Sequence, residues 1–515
     1  MQLTNLPPEL LREIISHIDD ATGREYADHG HPNLCALALS GARGLAEAAT
    51  DLLYGAIKIE RNGADAKDEQ RLVLLNRSCR TNPHLVHRIR SADIRWFHHD
   101  DATPHYDEFL AHLARSNSLV SLEAELGHPP PLLAGDVNSS PLPALFQWQP
   151  GSFAGLRELH VHLVRVDHDA RVPVAFLVRL CELPSLRAIT LCAPAAVDHD
   201  DADGGDKHSS CEADGERLPT LGLTEMYTGY GRPVSIDLLR QVLPRTPALK
   251  TLSLSLPGAA VEVDRKMADS VSCGGYDLKG PVLSPCSVGR LLAPTAASLE
   301  QLDLGADNVY LPAQHDGSQI DLSAFARLRH LEITACLLLG AGQGRVVAGG
   351  VVVWRRLPPA LEKLTVAFDT DLGLFWGLAE MREHARAGTF ASRLWDRRLR
   401  DDGDGLRWLA ELLRRHAHGE RGNSRQLRRI VVEEREVIDR DRNWARAAWR
   451  RPGGDRMRDL ARAAAVDLEI SLRVPRSFRA EDIDIIEEAD CYDEPGTVPY
   501  GDQGSSSPSS EGMDL

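Results

Sequence analysis

The feature that most constrains this chain is a recurring pattern of aliphatic residues spaced L-x-x-L-x-L. It begins at Ile89, Leu119, Leu156, Leu186, Leu218, Leu249, Leu299, Leu328, Leu361 and Leu427. Eight segments are clear: LRELHV, LRAITL, LPTLGL, LKTLSL, LEQLDL, LRHLEI, LEKLTV and LRRIVV; the weaker IRSADI and LVSLEA precede them. Most steps lie between 29 and 37 residues, with one of 50 and one of 66. Such a period marks stacked units, none of which buries its apolar face alone. The step of 66 reads as two units of 33, and the step of 50 as one unit plus an insertion of about 20 residues.

Each unit alternates a helical pattern with a short strand pattern, as in FLAHLARSNSLVSLEAEL, VAFLVRLCELPSLRAITL and IDLLRQVLPRTPALKTLSLSL. Side chains alternate across a strand, so residues between the aliphatic positions face away from the core. The predicted lining of that face is Asp93, Glu123, Glu125, Glu158, His160, His162, Thr190, Thr220, Thr224, Thr251, Ser253, Ser255, Asp303, His330, Glu332, Lys363 and Thr365. Its first third is acidic and its middle is hydroxyl-rich. The expected binding positions are Glu123, Glu125, Glu158, His160, His162, Thr190, Thr220, Thr251 and Ser253, with the carboxylates suited to a basic segment of a partner.

Three stretches interrupt the pattern, at 194–217, 258–286 and 340–350. The first holds DHDDADGGDKHSSCEADGER and leaves little room for a helix in its unit. VDLEISLRV, Val466 to Val474, is the last strand-like segment. From Ala480 to Leu515 there are eleven Asp and Glu and no Lys, Arg or His. A segment so charged and so poor in apolar residues is expected to be disordered, which sets a tail at 476–515.

The N-terminal residues read differently. Pro7 and Pro8 suit a first helical turn and Glu9 the positive end of its dipole. A helix from about Pro8 to Ile18 would carry Leu10, Leu11, Ile14, Ile15 and Ile18 over two adjoining faces, more than one core-facing stripe needs. Asn33 can cap a short second helix with Leu34 and Leu37. Ser40 can cap a third with Leu45, Ala48, Ala49 and Leu52. Three short helices make a marginal core, so this unit needs either the rest of the chain or another protein.

LPPELLREIISHI, followed by NLCALALSGARGLAEAATDLLYGAI, resembles an F-box in the form common in filamentous-fungal proteins. The matching features are Leu-Pro-x-Glu-Leu, the Ile-Ile four residues on and Leu-x-x-Leu-x-Leu-Ser. The resemblance implies binding to the Skp-type adaptor of a cullin-based ubiquitin ligase, with Leu6, Pro7, Leu10, Ile14, Ile18, Leu34 and Leu37 at the contact. The repeating region resembles an irregular leucine-rich-repeat domain without an asparagine ladder.

The expected fold is thus an α/β solenoid: a three-helix F-box over 1–57, a helical connector over 58–88, and a leucine-rich-repeat-like arc or horseshoe over 89–475. The expected function is substrate recognition for that ligase, with an unidentified protein as target, in the cytoplasm or nucleus. The other reading is a leucine-rich-repeat scaffold whose F-box-like helices cap its end.

Composition removes other classes. A net charge of -16 argues against a nucleic-acid partner. The longest nearly apolar run, Val346 to Trp354, is far short of the ~20 residues of a membrane span, and Glu9, Arg12 and Glu13 break the pattern of a signal peptide. Nine scattered cysteines form no C-x-x-C, so neither a disulfide framework nor zinc is expected. GAGQGR lacks the Lys-Ser/Thr of a phosphate loop. The Asp-rich run at 198–206 places His199 and Ser210 where a calcium loop needs carboxylates, and His98-His99-Asp100-Asp101 with His105 matches no zinc spacing. H-E-x-x-H and G-x-S-x-G are both absent. No active site, metal or cofactor is expected.

Overall fold

The computed structural model describes Leu11 and residues 32–39, 43–60, 66–96, 103–127, 151–164, 174–192, 219–228, 236–257, 285–307, 318–339, 341–342, 345–346, 353–368, 407–419, 426–434, 452–474 and 485–487. Two helices come first, α1 (Pro32–Ala38) and α2 (Arg43–Gly55). There follow β1 (Ala56–Glu60), α3 (Ala66–Thr81), a 3-10 turn (Pro83–Arg88), β2 (Ser91–Trp96), α4 (Thr103–Ala114), β3 (Ser121–Gly127), β4 (Glu158–Val164), α5 (Val174–Cys181), β5 (Ala188–Cys192) and β6 (Glu225–Thr228). The chain continues through α6 (Ile236–Val242), β7 (Thr251–Pro257), α7 (Pro285–Leu292), β8 (Gln301–Asp307), β9 (His330–Thr334) and α8 (Ala335–Leu339). A small hairpin pairs β10 (Ala341–Gly342) with β11 (Arg345–Val346). The last elements are α9 (Val353–Arg356), β12 (Lys363–Phe368), α10 (Arg407–Ala417), β13 (Arg429–Glu434), α11 (Pro452–Ala463), β14 (Asp467–Val474) and β15 (Ile485–Glu487).

All strands but the hairpin join one 13-stranded sheet in chain order, and each pairing is parallel, from Ala56↔Ser91 to Leu472↔Ile485. Parallel neighbours cannot be joined by a tight turn, so each unit must travel out and back, and the helices occupy that path. The aliphatic positions of successive strands lie in register: Leu122↔Leu159↔Ile189↔Met226↔Leu252↔Leu302↔Leu331↔Leu364↔Ile430. These residues and the apolar faces of the helices, such as Phe109, Leu180, Leu239, Leu292 and Leu413, form one continuous buried cluster. The sheet thus has one covered face and one open face.

Successive units are also tied by backbone. The carbonyl of Arg157, just before β4, accepts from the N–H of Arg187 at 2.8 Å and of Ala188 at 3.0 Å in the next unit. The same double acceptance recurs at Arg90, Val120, Arg187, Lys250 and Arg329. Where β6 stops short, Thr228 Oγ1 takes the next rung, accepting from Ser255 N–H at 2.7 Å.

Gly155 is where the chain enters β4. A Cβ there would lie 2.0 Å from the Asn117 carbonyl oxygen, so only glycine lets the two backbones approach this closely. The neighbouring Phe153 takes φ 54 while fully buried.

Several expectations are corrected. Residues 219–223 of LPTLGL form no strand: β6 begins at Glu225 and its register partners show that the pattern is Leu223-x-x-Met226-x-Thr228. Pro219 and Gly222 disfavour a strand at the earlier frame. The step of 66 is not two paired units, because β12 and β13 are direct neighbours, Lys363↔Arg429. The expected connector at 58–88 begins within β1 and makes up the sheet's first unit, with Tyr54, Ile57 and Ile59 in the aliphatic places. Within the tail, β15 pairs with β14. Part of the Gly-rich 340–350 stretch is the β10–β11 hairpin.

The N-terminal helices have a separate small cluster. Leu11, Leu34 and Ala48 are buried together, with Leu37, Leu45, Leu52 and Leu53 packed against them. α2 runs directly into β1, and the Gly55 carbonyl accepts from Arg90 N–H at 2.9 Å. Arg88 also forms an ion pair with Asp51 of α2.

Candidate interaction surface on the open face of the sheet

The open face is a grid, because every strand offers alternate residues in register. Its middle row runs Lys58, Asp93, Glu123, His160, Thr190, Tyr227, Ser253, Asp303 and Glu332 along β1 to β9. The row on its N-terminal side holds Ser91, Ser121, Glu158, Ala188, Glu225, Thr251 and Gln301 along β2 to β8. Glu123, His160, Thr190, Thr251 and Ser253 are half-buried on this face, and Glu158 is exposed. Glu125 stands opposite His162 in the next row.

The acidic third is not a bare carboxylate patch. His162 Nε2 lies 3.9 Å from Glu123 Oε1, one strand away. In the middle, Tyr227 Oη donates to Glu225 Oε2 at 3.0 Å, and Ser253 Oγ donates to Asp303 Oδ2 at 2.9 Å. Partial burial and then the neighbouring Glu225 carboxylate hold the Tyr227 hydroxyl above its usual pKa, and a hydrogen bond with Thr251 opposes them. Tyr227 therefore stays a neutral donor, set between the carboxylates of β6 and β8.

Thr220 is the misplaced residue. It lies exposed, ahead of β6, and the grid positions assigned to that strand belong to Glu225 and Tyr227. The signal was present in the sequence: EMYT has strand-forming residues and LPTLGL contains Pro and Gly. Thr224 also precedes the strand, where its Oγ1 donates to the Arg187 carbonyl at 3.2 Å. Two other lining residues lack access: Ser255 and Thr365 are buried, the latter 4 % exposed, within a β12 that is buried from Leu364 to Phe368.

Most of the unit between β5 and β6, residues 193–218, where the sequence leaves little room for a helix, lies outside the described residues. Its return segment is pinned by Arg245, which is 8 % exposed. Arg245 donates to Glu182 Oε1 at 2.8 Å and to the Pro219 carbonyl at 3.0 Å. The adjacent Cys181 thiol is buried and pushed up to about 12, chiefly by desolvation, so it is inert.

Of the expected adaptor contacts, Leu34 is buried within the helical module and Leu37 packs against the same cluster. Leu6, Pro7, Leu10, Ile14 and Ile18 lie outside the described residues. In the helical module Leu39, the last aliphatic of Leu-x-x-Leu-x-Leu-Ser, is 85 % exposed; Leu74 of α3 is the other exposed leucine among the described residues. Among the described residues no group of His, Cys, Asp and Glu is placed to hold a metal ion. Among them, too, no helix is long and apolar enough to cross a membrane. No protein-family model matches this sequence, and no curated protein matches it.

Proposed function

We propose that this protein is the substrate-recognition subunit of a cullin-based ubiquitin ligase. In this reading the N-terminal helices are an F-box that binds the Skp-type adaptor, and the strand stack is an irregular leucine-rich-repeat arc whose open face receives a target protein. The subunit is non-catalytic, needs no cofactor and works in the cytoplasm or nucleus.

The observation that carries this reading is Leu39. Its motif partners Leu34 and Leu37 are taken up by the module's own cluster, but Leu39 is left in water. Burying a leucine is worth roughly 1.5–3 kcal/mol, a gain that a partner covering α1 would recover. The Arg88–Asp51 ion pair supports the same reading, since it would hold an adaptor-bound module in fixed orientation to the sheet.

A second reading, a repeat scaffold with a helical end cap, is favoured by the unbroken passage from α2 into β1. Co-purification with a recombinant Skp-type adaptor separates the two. The wild type should bind, Leu39→Asp should lower capture at least tenfold, and Leu10→Asp with Ile14→Asp should abolish it, with the sheet's circular dichroism unchanged. A wild-type chain that does not capture the adaptor makes the cap reading the correct one.

A further inference from the structure

The residue just before each of β2 to β9 and before β12 occupies a fixed place, because its carbonyl accepts two N–H groups from the following unit. Along β2 to β7 these residues are Arg90, Val120, Arg157, Arg187, Thr224 and Lys250. Neighbouring places are one strand apart, about 4.8 Å. Arg90, Arg157 and Arg187 are all exposed. Among the described residues their guanidinium groups take part in no hydrogen bond or ion pair. Lys250 differs, standing 3.8 Å from Glu300.

The carboxylates beside this row are in the opposite condition. Glu123 has His162, Glu225 has the Tyr227 hydroxyl, and Asp303 has Ser253. Glu158 is the exposed exception, next in sequence to Arg157. These contacts orient the carboxylates without cancelling their charge; what the margin itself adds is a row of exposed cationic side chains, Arg90, Arg157 and Arg187, that no described carboxylate engages.

We propose that the leading edge of β2 to β5 is a docking site for an acidic peptide segment of the target, read by Arg90, Arg157 and Arg187. This deepens the substrate-receptor reading, on which its biological role rests, and it reverses the charge of partner that the sequence suggests. An extended peptide laid across the strands meets backbone positions about 9.6 Å and about 4.8 Å apart, and its own same-side side chains repeat every ~6.6–7.2 Å, a mismatch that the long arginine side chains can span. Arginine can grip each carboxylate with two N–H donors. Because the site is exposed, its affinity should fall steeply with salt.

The test uses the full-length chain and two fluorescein-labelled probes, octaglutamate and octalysine, followed by fluorescence anisotropy at about 50 mM and about 300 mM salt. The octaglutamate probe should bind, weaken at high salt, and lose at least tenfold in affinity with Arg90→Glu, Arg157→Glu and Arg187→Glu combined. All three side chains are exposed, and an unchanged melting curve verifies that the variant is folded. The chain's own acidic segment 198–216 is the rival occupant. If only a chain lacking 198–216 binds the probe, with the same arginine dependence, the site is confirmed and that segment fills it. No binding to either chain, binding unchanged by the triple substitution, or preference for octalysine overturns the proposal. Adaptor capture in the same samples keeps the two readings apart. Capture without peptide binding defeats only this inference; arginine-dependent peptide binding without capture defeats only the receptor reading.

Discussion

The N-terminal helices and the strand stack solve the problem of burial differently. The helical module holds a cluster of Leu11, Leu34 and Ala48 with four partly covered leucines. The stack shares one apolar cluster that runs without a break from Ile59 to Ile470. Each stacked unit borrows its core from both neighbours, so its stability is mostly interfacial. Among the described residues the module meets the stack at the junction of α2, β1 and Arg88, and it leaves Leu39 uncovered. A region that depends on borrowed contacts is stable in the middle and weak at its ends.

The sharpest way to break the stack is at its closest backbone approach. Gly155→Ala would set a methyl 2.0 Å from the Asn117 carbonyl, backbone against backbone, with no side chain free to yield. The expected loss is about 3 kcal/mol or more, with β3 and β4 parting. Guanidinium denaturation should show it as a lowered midpoint, and a variant as stable as the wild type would mean that the approach is looser than described.

A cavity in the module should cost less and stay local. Leu34→Ala removes the centre of its cluster, at about 2 kcal/mol. Limited proteolysis should then cut within 32–55 while the denaturation midpoint of the sheet stays put. A midpoint that falls in parallel would show that the two regions fold as one. Asp51→Ala weakens the tie between them. Both partners of the Arg88 pair are about 30 % exposed, so the loss is at most ~1 kcal/mol. Hydrogen exchange should quicken at the α2–β1 junction and nowhere beyond β2.

The smallest effect has the opposite sign. Two residues past the end of α11, Ala465 takes φ 53, and Val466 N–H reaches back to the Ala461 carbonyl at 3.0 Å. This left-handed helix end favours glycine. Ala465→Gly should therefore stabilise the last units by about 0.5–1 kcal/mol, read as a higher midpoint for unfolding of the C-terminal units. A lower midpoint would mean that the gain in unfolded-chain entropy outweighs the relief of strain.

Much of the repeat was readable because its signal is local. Leu-x-x-Leu-x-Leu at Leu249, Leu299, Leu328 and Leu361 places three buried side chains of a unit within six residues, and alternation alone assigns Ser253 and Asp303 to the open face. The frame failed at 218 because three leucines in LPTLGL spell the pattern by chance, while the real unit buries Met226 and Thr228. β1 was hidden because Tyr54, Ile57 and Ile59 overlap the end of a helix. The acidic character of the open face was also readable, but the engagement of its carboxylates was not, since Glu123 and His162 are far apart in sequence.

By itself, then, the sequence determined the period, the aliphatic positions and the alternation of strand side chains, because each depends on residues within one turn or one strand. Only the tertiary structure decided which strands are neighbours, as at β12 and β13, and which charges are already answered. Those outcomes depend on the register between units, where hydrogen bonds such as Arg187 N–H to the Arg157 carbonyl align residues that no short spacing connects.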